Sequence, residues 1–77
     1  LLADAADAAG LPPGVFNVVQ GTGANTGAKL VSDPRIARVS FTGSVPTAKW
    51  IAQAAGANLV PCSLELGGKS PFIVLED

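Results

Sequence analysis

The chain alternates helix-forming segments with short runs rich in valine, isoleucine and phenylalanine, and this alternation limits what it can fold into. From the amino terminus, the predicted order is helix, strand, helix, strand, helix, strand, strand. Strands that alternate with helices of about 10–15 residues indicate βαβ units, in which parallel strands are covered by helices. The sequence therefore predicts an α/β fold, with a mostly parallel sheet and flanking helices. The predicted strands are residues 15–19, 39–42, 60–66 and 72–75.

Glycine, proline and small polar residues set the predicted limits of the helices. The alanine-rich first helix should end at Gly10, and the second should run from about residues 25–26 to Asp33. Ser44 is a suitable N-cap for the third helix, with Pro46 in its first turn. The apolar face of this helix is predicted to consist of Trp50, Ile51, Ala54 and Ala55.

The composition excludes several classes of protein. One cysteine and no histidine among 77 residues cannot form a disulfide scaffold, a cysteine-based zinc site or a histidine-dependent catalytic triad. Five basic and six acidic residues, spread along the chain, provide no basic patch for nucleic acid. No apolar run reaches the length of about 18 residues that marks a membrane span, and no secretory signal is visible. We expect no metal, nucleic-acid or membrane partner, and a cytoplasmic location.

Length and apolar mass point to a piece of a longer chain. A chain of 77 residues buries only about 60% of its unfolded surface, and this one has small apolar side chains and no disulfide or metal to compensate. It also begins without methionine. We expect an internal fragment.

Two glycine corners follow predicted strands, which is where open α/β sheets bind ligands. Residues 21–27 read G-x-G-x-x-x-G, and Thr26 stands where the dinucleotide fingerprint needs its third glycine. This corner is either a phosphate contact or a simple turn. At the second corner, Gly43 lets a ligand approach the backbone, and the helix that starts at Ser44 directs N–H groups and its positive dipole end there. With the hydroxyl of Thr47, this corner is either a phosphate cradle or an ordinary capped helix.

A third corner contains a carboxylate that is flanked by apolar residues in the sequence. Glu65 is the one charged residue of the run 59–68. A carboxyl group in an apolar site can act as a general base near neutral pH. The alternative is a strand-end carboxylate that faces water or pairs with Lys69. Cys62 is interpreted as a small buried side chain, because no neighbouring group in the sequence would activate it as a nucleophile.

Taken together, these stretches resemble the aldehyde dehydrogenase superfamily. The variant G-S-V-P-T at 43–47 is most similar to the betaine-aldehyde and aminoaldehyde branch. The resemblance implies that residues 1–77 are part of a Rossmann-like NAD(P)-binding domain that runs to the start of the catalytic domain. The stretches that carry the resemblance, in the family's order and spacing, are residues 10–19, 21–23, 39–44 and 64–71.

The family's activity is the NAD(P)-dependent oxidation of an aldehyde to a carboxylic acid. A cysteine thiolate attacks the carbonyl, a hydride passes to the nicotinamide, and a glutamate-activated water hydrolyses the thioester. The resemblance aligns Glu65 with that glutamate, and Leu66 with a residue whose backbone lies near the nicotinamide. It aligns Gly43 and Ser44 with the turn beside the cofactor pyrophosphate, and Gly23 with a glycine near the adenosine. The implied cofactor is NAD, with NADP as the alternative. The implied substrate is a small-molecule aldehyde, and the implied assembly is a homo-oligomer.

The sequence also departs from the family's pattern. Ala48 stands where the family commonly has a second glycine, which bears on cofactor affinity and on the choice between NAD and NADP. The family's nucleophilic cysteine lies beyond Asp77, so Cys62 does not correspond to it. Its oxyanion-hole asparagine and ribose-binding lysine lie before Leu1. Because the nucleophile lies outside this stretch, a non-catalytic relative or a nucleotide-binding module with the same fold remains an alternative.

Overall fold

The structure, a computed structural model, describes residues 1–68 and 71–76. Strands β1 (Val39–Gly43) and β2 (Cys62–Leu66) pair in parallel and are connected through helix α3 (Val45–Gly56), so that they form the predicted βαβ unit. The α/β class with parallel strands is thus confirmed. The helices are α1 (Leu2–Ala8), α2 (Ala28–Val31), which continues a π-helical turn at Gly23–Gly27, and α3 (Val45–Gly56); the strands are β1 (Val39–Gly43) and β2 (Cys62–Leu66).

The core lies between α3 and the sheet. Ile51 and Ala55 of α3 pack with Val39 of β1, and all three side chains are buried. Buried positions 48, 51 and 55 form one stripe along the helix, as expected from a repeat of 3.6 residues per turn. The predicted face is wrong at Trp50, which is 45% exposed. Trp50 precedes Ile51 by one residue, and one residue turns an α-helix by about 100°, away from the buried stripe.

Two predicted strands are wrong. Residues 15–19 and 72–75 form no strand in the described structure, and their large apolar side chains are exposed, for example Val19 at 66% and Phe72 at 91%. Apolar and β-branched composition favours extended backbone, but a strand also needs a neighbour that accepts and donates its backbone hydrogen bonds. Within the described ranges, β1 and β2 pair only with each other.

The two central helices begin in different ways. Ser44 caps α3 as predicted, because its Oγ accepts a hydrogen bond from the Thr47 backbone N–H (3.5 Å) and Pro46 lies in the first turn. The second helix does not begin as a regular α-helix. The Thr22 carbonyl accepts hydrogen bonds from the backbone N–H groups of the next turn, at 2.9 Å from Thr26 and 3.2 Å from Gly27, so a π-helical turn precedes α2.

Polar contacts hold α2 beside its neighbours. The Asn58 Nδ2 donates to the Ser32 carbonyl oxygen (3.0 Å) and joins the carboxyl ends of α3 and α2. Between α2 and β1, Arg35 donates from Nε and Nη2 to the two carboxylate oxygens of Asp33 (2.9 and 2.6 Å). These side-chain bonds, with one from the Arg35 backbone N–H, hold the pKa of the Asp33 carboxyl well below its usual range.

Candidate functional site

The parallel register brings two of the predicted corners to one edge of the sheet. Thr42 is paired with Glu65, and Gly43 with Leu66. Neighbouring strands lie about 5 Å apart, so the corner at Gly43 and Ser44 is directly beside Glu65 and Leu66. The carboxyl ends of parallel strands are where open α/β sheets bind ligands. The structure thus brings together four of the residues expected from the family resemblance.

Glu65 lies on the face of the sheet that points away from α3. Successive strand residues alternate between faces, and Leu64 packs against the core beneath α3. Glu65 is exposed, so the structure agrees with the interpretation of a strand-end carboxylate that faces water and not with an apolar site. The reason is its place in the alternation, which directs the carboxylate away from the core. Its predicted alternative partner, Lys69, lies outside the described residues.

The amino terminus of α3 lies at the same edge. The hydroxyl oxygens of Ser44 and Thr47 are 3.0 Å apart in one hydrogen bond. Pro46 has no N–H and the Thr47 N–H donates to Ser44 Oγ, so the backbone donor of the first turn that can face a ligand is that of Val45. A helix of 12 residues carries a partial positive charge at this end, and hydroxyl and N–H groups can donate to an anion. The chemistry of this end suits a phosphate group.

A cleft of about 830 Å³ separates the π-helical turn from α3 and adjoins this end. Its volume falls within the range of about 300–1,000 Å³ that is typical of small-molecule sites. It brings Gly23, the fifth predicted residue, opposite the first turns of α3. Its lining is mostly apolar and includes Gly23, Phe41, Pro46, Thr47, Trp50 and Ile51.

The sequence analysis missed two residues of this cleft. Phe41 lies two residues before Gly43 on β1, on the same face of the strand, so the alternation of strand side chains could have identified it. Trp50 follows Thr47 by three residues and therefore lies about one helical turn beyond it. Ala48 is 1% exposed, so its methyl group is enclosed by the protein's own atoms.

The remaining candidates add no further ligand group. Cys62 is half-buried and packs against the core, in agreement with its interpretation as a small structural side chain. Among the described residues, no group of three or more potential metal-ligating side chains comes together. None of the helices in the described part of the chain is long and apolar enough to cross a membrane.

Several known proteins are similar to this chain in sequence and structure. The chain is 61% identical over 69 residues to a betaine aldehyde dehydrogenase of Cereibacter sphaeroides, covering 90% of this chain and 14% of that protein. It is 54% identical over all 77 residues to human 4-trimethylaminobutyraldehyde dehydrogenase, covering 15% of that protein. A mutant of aldehyde dehydrogenase C from Pseudomonas syringae, solved with NAD+ and octanal, superimposes with a TM-score of 0.87 at 45% identity, over 97% of this chain and 16% of that one.

The chain therefore spans about one-seventh of the length of these relatives. The model of the aldehyde dehydrogenase family matches residues 1–77, the whole of the sequence. With this match, and with the identity to the curated relatives, the chain belongs to the aldehyde dehydrogenase family.

Proposed function

We propose that residues 1–77 form part of the NAD(P)-binding domain of a longer aldehyde dehydrogenase, running to the start of its catalytic domain. The observation that carries this proposal is the meeting of the α3 amino terminus and Glu65 at one sheet edge, beside an apolar cleft. The solved relative with NAD+ and octanal supports it. The proposed reaction of the whole protein is the oxidation of an aldehyde to a carboxylic acid.

The residues present fit a dinucleotide. The apolar cleft beside Gly23 suits an adenosine, and the α3 amino terminus, with Ser44, suits a pyrophosphate. Leu66, paired with Gly43, presents its backbone at the same edge for the nicotinamide. When bound, NAD supplies a hydride acceptor. NADP is the alternative cofactor.

In this proposal Glu65 is the general base. Its carboxylate takes a proton from a water molecule, whose oxygen then attacks the carbonyl carbon of the thioester and releases the cysteine thiolate. The thiolate belongs to the part of the enzyme beyond this chain. The exposure of Glu65 at the strand end leaves its carboxylate accessible to water and to a substrate.

The substrate is proposed to be a small-molecule aldehyde. The relatives are named for betaine aldehyde and 4-trimethylaminobutyraldehyde, so these two compounds are the first to assay. The homo-oligomeric assembly stays a prediction from the family resemblance, and the cytoplasmic location stays a prediction from the lack of a visible signal in the sequence.

The test is the substitution Glu65→Gln in the full-length protein that contains this sequence. Because glutamine cannot accept the proton, acid formation should fall by about 10²–10⁴-fold. NAD+ binding, measured by calorimetry, should stay within about twofold, because the substitution preserves the shape of the side chain. Glu76→Gln is the matched control, since Glu76 is also exposed but lies outside the strand edge, and it should leave turnover unchanged.

Unchanged turnover in the Glu65→Gln protein would show that Glu65 is not the base. A wild-type protein that binds NAD+ but forms no acid from either aldehyde would favour the alternative function, a non-catalytic relative or nucleotide-binding module.

A further inference from the structure

The ring of Phe41 covers the Cα of Gly43. The two residues lie two positions apart on β1 and therefore face the same side of the sheet. A Cβ added to Gly43 would lie 2.5 Å from Cζ of Phe41 and 3.1 Å from Cε1. Favourable carbon–carbon contacts are about 3.5–4.0 Å long. The tip of the ring thus fills the space that any side chain at position 43 would need.

Gly23, on the opposite side of the cleft, shows the reverse situation. A Cβ added there would have no atom within 4 Å. Gly23 lines the cleft, so the space beside it is open to a ligand. The two glycines of the proposed cofactor site are therefore not equivalent, because the chain's own ring occupies the space beside Gly43.

We propose that Phe41 is a positioning residue for the cofactor site, and that it is Phe41, more than the ligand, that requires glycine at position 43. The inference rests on the proposed NAD(P) binding. Phe41 is half-buried against the core and also lines the cleft, so its ring connects the packed interior with the ligand space. A methyl group at position 43 displaces the Phe41 ring. Because the core blocks movement of the ring toward the interior, the ring moves into the cleft. The displaced ring then takes space that belongs to the cofactor.

The test is a double-mutant cycle in the full-length protein, with the dissociation constant of NAD+ measured by calorimetry. Gly43→Ala should weaken NAD+ binding by about tenfold or more, as overpacking commonly does. Phe41→Leu removes the ring tip, so the double variant Phe41→Leu/Gly43→Ala should bind NAD+ within about threefold of Phe41→Leu alone.

Gly23→Ala is the matched control for ligand approach. It should also weaken binding, but adding Phe41→Leu should not restore it, because no protein atom lies in the way. In steady-state kinetics, Gly43→Ala should raise KM for NAD+ with kcat little changed, a split that a general loss of folding does not give.

Three results would overturn the inference. One is Gly43→Ala binding NAD+ as tightly as the wild type. The second is a double variant as weak as Gly43→Ala, which would assign the glycine requirement to the ligand. The third is coupling between Phe41 and Gly43 in the melting temperature alone, with no coupling in NAD+ binding. A wild-type protein that binds neither NAD+ nor NADP+ is a separate outcome, because it removes the proposed function itself.

Discussion

The two walls of the cleft are built by different means. We define the first wall as residues 23–31, the π-helical turn and α2, and the second as residues 39–56, β1 and α3. The first wall has no buried residue and no side-chain cap. The second has a capped helix of 12 residues with three buried side chains. The first wall thus depends mainly on local backbone bonds and polar contacts, with Val31 packed against the margin of the core, whereas the second wall contains the core itself.

This difference indicates how a ligand would be held. The second wall carries the helix terminus and Phe41, and its core fixes both in place. The first wall contributes an open glycine, whose neighbouring space is free for a ligand. We therefore expect the second wall to set the position of a cofactor and the first wall to leave space for it.

The largest expected difference between the walls is in their apolar side chains. Ile51→Ala, in the second wall, should lower the free energy of unfolding by about 2–5 kcal/mol, because it leaves a cavity in the core. Leu30→Ala, in the first wall, should cost less than about 1 kcal/mol, because Leu30 is 52% exposed. Urea unfolding of the full-length protein measures both. Equal losses would mean that the walls share one core.

The second difference lies in the caps. Ser44→Ala should lower the free energy of unfolding by about 1 kcal/mol, because the Thr47 N–H loses its side-chain acceptor. Thr22→Ala, at the corresponding position before the π-helical turn, should change it by less than about 0.5 kcal/mol, because the Thr22 backbone carbonyl makes the bonds there. The shift in the urea midpoint distinguishes the two. A larger loss of stability from Thr22→Ala than from Ser44→Ala would contradict the expectation that only the second wall depends on a side-chain cap.

The smallest expected effect concerns the ion pair after the first wall. The pKa of Asp33 is lower in the folded chain than its unfolded value of about 3.9, so the pair stabilises the fold above about pH 4. That contribution is lost as the pH falls through the folded pKa. Asp33→Asn should therefore reduce the loss of stability between about pH 5 and about pH 2, measured by thermal unfolding. Because Arg35 is exposed and water screens the pair, the change should be small.

Asp7→Asn, at an exposed carboxyl in α1, is the control for the acid series. If it changes the acid dependence as much as Asp33→Asn does, the pairing of Asp33 with Arg35 does not account for the effect.

The elements of the second wall could be predicted from the sequence, because their signals are local, although the places of Phe41 and Trp50 in the cleft were missed. Ser44 and Pro46 mark the start of α3 through cap and backbone chemistry, which needs no distant partner. The predicted strand at 39–42 corresponds to β1, and the glycine after it lies at the carboxyl end of that strand, where the candidate site was predicted. The family resemblance then assigned a role to Glu65, which remains a prediction.

The features that the sequence analysis did not predict depend on neighbouring strands or on the exact spacing of backbone hydrogen bonds. The run at 15–19 has the composition of a strand but forms none in the described structure, because composition does not specify a neighbour. The π-helical turn depends on one extra residue within a turn, which a repeat of 3.6 does not resolve. The outward direction of Glu65 follows from the alternation of side chains along β2. Its neighbours in the sequence are apolar, and they suggested an apolar site although the Glu65 side chain faces the other way.

Trp50 has one consequence of a different kind. It is the chain's one tryptophan, the chain has no tyrosine, and its indole is 45% exposed while lining the cleft. Indole emission changes in colour and yield when the water around the ring is replaced. Within this chain, excitation at long ultraviolet wavelengths thus addresses a single ring at the cleft. Trp50 is therefore an intrinsic fluorescence probe beside the proposed cofactor site, and it needs no added label.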